Sequence, residues 1–125
     1  MAVRLTIDVN QRLMVATYDG EINDDEILGL ASLARSHSDF DPSFSIKWDF
    51  SGVTAGTVST SAMQELALRE SILSRTSMHV IVAPQDHIFG LFRMGQVLTE
   101  QIKPNVVVVR SADEAHKSLG LEKTC

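Results

Sequence analysis

Asp86 and His87 are neighbours, and a carboxylate beside an imidazole is the smallest set in this chain that could move a proton or hold an anion. A second group gathers around the Gly/Ser/Thr-rich stretch 51–61, where Asp49, Ser51, Thr57 and Ser59 offer acceptors and hydroxyl donors. Loops and helix starts collect at the carboxyl ends of parallel strands, so these residues, with Arg110 from a later strand, could share one small polar rim. The competing reading is local: Asp49 and Ser51 would organise their own turn, and Asp86 would only start a helix. Other chemistry is sparse. There is no Gly-x-Ser-x-Gly elbow, no Gly-Lys-Ser/Thr phosphate loop and no zinc-like spacing, and His37, His79, His87 and His116 fall on separate elements or junctions. No metal or cofactor is expected, and any catalytic role would rest on Asp86 and His87 alone.

The elements that must position these groups follow from hydrophobic periodicity. Ile46, Trp48 and Phe50 alternate with Lys47, Asp49 and Ser51, which predicts a strand over 45–51 with one buried face and a polar face leading into the loop. Val3, Leu5 and Ile7 alternate in the same way, and with the run 13–18 they predict an opening hairpin broken at Asp19-Gly20. Asn23 before Asp24, Asp25 and Glu26 predicts a capped first helix, with Ile27, Leu30, Ala31 and Ala34 on one face and an end near His37. A second helix is expected from about 59–61 to about 74, with Ser61 and Gln64 at the spacing of a capping box. Residues 80–83 are continuously apolar, as in an interior strand, and Pro84 closes that run. A third helix over about 86–103 precedes four valines at 106–109, whose β-branching predicts a central strand, and Ser111 with Glu114 caps a last helix ending at Gly120. The expected class is α/β with a mixed, mostly parallel sheet and element order ββαβαβαβα. One sheet face is expected to be partly open to water, which argues against a fully doubly wound sheet.

On the third helix, Ile88, Leu91, Phe92, Met94, Leu98 and Ile102 share a face, leaving Phe89 and Val97 on the side of Arg93 and Gln96. Gly90 and Gly95 each weaken a helix by roughly 1 kcal/mol relative to Ala. The element could therefore move over an apolar pocket, with Phe89, Phe92 and Arg93 as contacts; alternatively, Phe89 packs under a neighbouring loop.

Bulk properties narrow the function classes. The 125 residues match one domain, 1–125, and a chain of this size buries roughly two thirds of its unfolded surface. A net charge of −5, with 11 Lys and Arg scattered singly, argues against nucleic-acid binding. Cys125 is the only cysteine, so no intrachain disulfide is expected and a reducing compartment fits. No window approaches the roughly 18 apolar residues of a membrane span, so a cytoplasmic protein without a transmembrane segment is expected.

The segment Trp48-Asp49-Phe50-Ser51-Gly52-Val53-Thr54 resembles the Asp-Leu-Ser-Gly-Val segment of SpoIIAA-like domains, the STAS superfamily of anti-sigma-factor antagonists and its Sec14-related cousins. The likeness covers nearly the whole chain: the opening hairpin, Gly20 before an acidic helix start, the apolar strand before Pro84, the helix bearing Phe89-Gly90-Leu91-Phe92-Arg93-Met94, and the valine strand before Ser111. It implies a regulatory or protein-interaction module without enzymatic activity, contacting a protein partner through residues 52–61 and the Phe89 helix. From the Sec14 side it implies instead a carrier or sensor of an apolar small molecule. Anti-sigma antagonists carry Asp-Ser-Ser-Gly at a phosphorylated helix start, where this chain has Thr57-Val58-Ser59-Thr60. Phosphorylation at Ser59 would meet the helix dipole, while the plainer role of Ser59 is to cap the helix. An exposed strand edge and Phe89 also leave room for a homodimer.

Overall fold

The computed structural model describes residues 3–56, 58–68, 77–99 and 105–120. Strands β1 (Val3–Asp8) and β2 (Leu13–Ile22) lead into helices α1 (Asp24–Leu28) and α2 (Leu30–Arg35). There follow β3 (Ser45–Gly56), α3 (Thr60–Leu68), β4 (His79–Val82), α4 (Asp86–Thr99), β5 (Val106–Val109) and α5 (Ala112–Leu119). The class is α/β with one five-stranded mixed sheet in the order β1-β2-β3-β4-β5, in which only β1 and β2 run antiparallel.

That order accounts for the layering. Each step from β2 to β5 moves one place in the same direction, so right-handed crossovers put every connecting helix on the same side of the sheet. The main core lies on that side, where Met14, Ala16 and Tyr18 of β2, Ile46 and Phe50 of β3 and Ile81 of β4 meet Ile27, Leu30, Ile88 and Phe92 from the helices. Among the described residues only α5, after the last strand, reaches the other face, where Ala115 packs with Val80, Val82 and Val109. Beneath β1–β3 that second face carries the exposed Arg4, Thr6 and Asp8 and the half-buried Lys47 and Asp49. The open half-face and the absence of a doubly wound sheet agree with the alternation of β1 and β3.

Several local expectations hold. Asn23 and Glu26 form a reciprocal capping box, with Glu26 N–H donating to Asn23 Oδ1 at 3.0 Å and Asn23 N–H donating to Glu26 Oε1 at 3.1 Å. Ser111 accepts from Glu114 N–H at 3.2 Å, and α5 ends on Gly120 in the left-handed region at φ 73°.

Four expectations need correction. The first helix is two short ones, because Gly29 interrupts it and donates its N–H back to Asp25 at 2.8 Å. Asp19-Gly20 does not end β2: Gly20 takes φ 70° and the ladder shifts register on either side of it, so β2 and β3 continue together to Ile22 and Gly56. The capping box expected at Ser61 and Gln64 does not form, because Ser61 lies inside α3; the cap is Ser59, the other hydroxyl expected there, which accepts from Ala62 N–H at 3.0 Å. The valine strand β5 is an edge strand, not a central one. Its continuous apolar run reflects cover on both faces, by α4 on one side and α5 on the other. Among the described residues no helix is long and apolar enough to cross a membrane.

Candidate functional site

The carboxyl ends of the parallel strands form a rim where the starts of α1, α3 and α4 meet. Asp24, in the first turn of α1, accepts the backbone N–H of Ser59 at 2.7 Å and its hydroxyl at 2.8 Å. The Ser59 oxygen therefore serves twice, donating to Asp24 and accepting from Ala62 at the start of α3. One exposed hydroxyl fixes the starts of two helices to each other.

The second arrangement on the rim centres on Arg110, just after β5. Its guanidinium donates to the Asp86 carboxylate, reaches Pro84 O at 3.4 Å and lies 4.0 Å above the Phe89 ring. The hydrogen bond from Arg110 and its charge hold the Asp86 carboxyl below its ordinary value, with His87 adding to the effect. An anion tied to a guanidinium is a poor proton acceptor, and His87 beside it is exposed. Among the described residues no group of three or more His, Cys, Asp or Glu side chains could hold a metal ion.

Between these two arrangements, the Gln85 side-chain amide donates to Phe50 O and Val53 O, both at 2.9 Å, tying the start of α4 to β3. Its Oε1 is buried without a partner among the described residues, and the same is true of Tyr18 Oη and Trp48 Nε1. Burial, with the nearby Glu26 carboxylate, pushes the Tyr18 phenol well above its ordinary value. Tyr18 stacks on Phe50 at 4.6 Å between centroids, and Phe50 packs on Phe92 at 4.9 Å, so a continuous aromatic run links β2 and β3 to α4.

The residues expected to share one rim are divided. Asp49 and Ser51 lie within β3, because that strand runs on to Gly56, and Asp49 Oδ1 accepts Ser51 N–H at 2.9 Å in a local turn-like bond. No hydrogen bond joins either of them to Ser59 or Asp86. Asp49 stands instead between Thr17 and Val82 in the sheet ladder. Thr57 lies outside the described residues. Stretch 52–56 of the expected contact loop is strand. At Gly52 a side chain has no room: a Cβ there would collide with the Asp19 carboxylate and come within 3.3 Å of Tyr18 O. On α4 the three expected contacts also differ. Phe92 is buried at 3 % exposure, Phe89 is half-buried under Arg110, and Arg93 is exposed, with its guanidinium on Gln96 at 2.9 Å.

The Asp24–Ser59 joint was not predicted, since it pairs residues far apart in sequence; Arg110 was expected on the same rim as Asp86, but its contacts with Asp86 and the Phe89 ring were not. A further feature missed by periodicity is a polar groove of about 250 Å³ at the opposite end of the sheet, lined by Gln11, Arg12, Leu13, Ser43, Ser45 and Leu119. Beside it Arg12 takes φ 55° and its guanidinium donates to Ser43 Oγ at 2.8 Å. Comparison with protein-family models, with curated proteins and with solved structures finds no match for this chain.

Proposed function

We propose that this chain is a regulatory or protein-interaction module of the SpoIIAA-like, STAS-related kind, which engages a protein partner through the rim formed by the starts of α1, α3 and α4. The observation that carries this reading is the exposed Ser59 closing the joint between α1 and α3 through Asp24. A partner or a modification at that surface reaches directly into the packing of two helices. Phosphorylation of Ser59 would bring roughly −1.5 to −2 charges against the Asp24 carboxylate and would open the joint, where the same group on an unobstructed helix start would strengthen it. The Arg110 guanidinium already donating to the Asp86 carboxylate weighs against the alternative of an enzyme using Asp86 and His87. The test is affinity capture from native extract with the wild type, Ser59→Glu and, at the far end of the sheet, Arg12→Ala. Retention by the wild type and Arg12→Ala, with at least tenfold loss in Ser59→Glu, is the expected result. No specific retention, or equal retention by all three, overturns it.

A second reading, carriage or sensing of a small apolar molecule with a polar end, draws on the unpartnered Tyr18 Oη, Trp48 Nε1 and Gln85 Oε1. The Tyr18–Phe50–Phe92 packing opposes it by filling the layer such a molecule would need. Native mass spectrometry separates the readings: a co-purifying mass that disappears in Tyr18→Phe favours the carrier.

A further inference from the structure

The sheet has two edges, and they are treated differently. At β5 the Gln96 side-chain amide from α4 donates to Val106 O at 2.8 Å and occupies part of the edge. At β1 no strand pairs with the outer side among the described residues, and β1 contains no proline, lysine or bulge that would blunt it. Its inward residues Leu5 and Ile7 pack on the core and remain partly exposed.

The order of residues along β1 is complementary to itself. If two copies of Val3–Asp8 pair antiparallel about a two-fold axis at Thr6, Arg4 of each copy stands opposite Asp8 of the other. Thr6 then stands opposite Thr6, and on the core side Leu5 stands opposite Ile7. Every pair is favourable: two opposite-charge pairs and a hydroxyl pair on the open face, and two aliphatic pairs on the other. A shift by one residue along either strand would place side chains of unlike faces against each other. Arg4 also reaches Asp19 of its own chain at 3.2 Å, with both side chains largely exposed, so it arrives already held on the open face.

We infer that β1 is a self-association edge, joining two copies of this chain into one continuous ten-stranded sheet with Arg4–Asp8 pairs across the two-fold axis. This surface is separate from the rim proposed to bind a partner, so either inference can fail without the other.

Crosslinking tests the register directly. In a Cys125→Ser background, which removes the only cysteine of the chain, Thr6→Cys is expected to form an interchain disulfide on mild oxidation, because opposed residues of antiparallel strands lie about 4.5–5.5 Å apart at Cα, within disulfide reach. Arg4→Cys alone and Asp8→Cys alone are expected not to crosslink, whereas their equimolar mixture is. Sedimentation of the wild type up to about 1 mM, the weak end of specific association, is expected to show a dimer. Arg4→Asp and Asp8→Arg are each expected to weaken it about tenfold or more by opposing like charges, and mixing the two restores it. Circular dichroism of each variant establishes that it is folded, and the wild-type and Thr6→Cys results stand even if Asp8→Arg disturbs the hairpin turn. A wild type that stays monomeric throughout, or a Thr6→Cys chain that crosslinks no faster than Arg4→Cys, overturns the inference.

Discussion

The Asp24 carboxylate takes both hydrogen-bond donors of Ser59, the backbone N–H at 2.7 Å and the hydroxyl at 2.8 Å, across 35 residues of sequence. This contact ties the crossover leaving β2 to the crossover leaving β3, so the rim behaves as one unit. Because the same hydroxyl caps α3, Ser59→Ala is expected to lower stability by about 1–2 kcal/mol in urea unfolding, the upper part of the range for a lost cap. Ser59→Glu is expected to cost more than Ser59→Ala, since it sets a carboxylate against Asp24. A double-mutant cycle with Asp24→Asn is expected to show coupling above about 0.5 kcal/mol.

Phe92 and Arg93 are adjacent and have opposite environments. Phe92→Ala removes a ring packed on Phe50 at 4.9 Å and only 3 % exposed, and is expected to cost about 3–5 kcal/mol. Arg93→Ala loses one exposed contact to Gln96 and is expected to stay within about 0.5 kcal/mol of the wild type. Thermal unfolding of the pair is the measurement.

Gly90 is exposed on α4 and has nothing within 4 Å of a Cβ placed there. Gly90→Ala is expected to raise stability by about 0.5–1 kcal/mol, through helix propensity and a less flexible unfolded chain. If mobility of α4 serves partner binding, the same variant binds differently while it is more stable.

Asp86 titrates below the ordinary carboxylate range because Arg110 bonds to it. Its folded value lies below its unfolded one, so its contribution to stability is present above the unfolded value, about 3.9, and is lost as pH falls through the folded value. Carboxyl chemical shifts followed by NMR are expected to show Asp86 moving up toward the ordinary value in Arg110→Gln.

Tyr18 is the only tyrosine, so its ionisation can be followed without interference. Its folded value is raised by burial, so the associated stability is complete below the unfolded value of about 10 and declines as pH rises past it. Ultraviolet absorbance is expected to show no tyrosinate until the chain unfolds. Tyr18→Phe removes a buried hydroxyl without a partner and is expected to raise stability by about 1 kcal/mol.

Much of the scaffold was legible because it is written in local periodicity. The alternation of Ile46, Trp48 and Phe50 gave the face of β3, and Asn23 with Glu26 gave the first cap, since both signals span only a few residues. Strand lengths were less legible: Asp19-Gly20 reads as a break, yet Gly20 is held in the ladder by the neighbouring β3, a pairing invisible from β2 alone. The valines of β5 signalled burial on both faces, and burial was mistaken for a central position in the hydrogen-bond order. The site was the least legible part. Asp24 with Ser59 and Asp86 with Arg110 meet only after the crossovers bring separate strand ends to one rim, and their spacing along the chain carries no period. Asp49 and Ser51 stood out for their composition, yet a hydrogen bond between them accounts for their geometry.

The central claim is that the Asp24–Ser59 rim is the docking surface for a protein partner. Hydrogen exchange on the wild-type chain, free and in complex with the captured partner, tests it most directly. The account predicts added protection at the start of α3 and along the exposed side of α4 carrying His87 and Arg93, with the groove around Arg12 and Ser43 unchanged. Protection confined to the Arg12 groove or to the open face of β1–β3, with the α3 start exchanging as in the free chain, would contradict it.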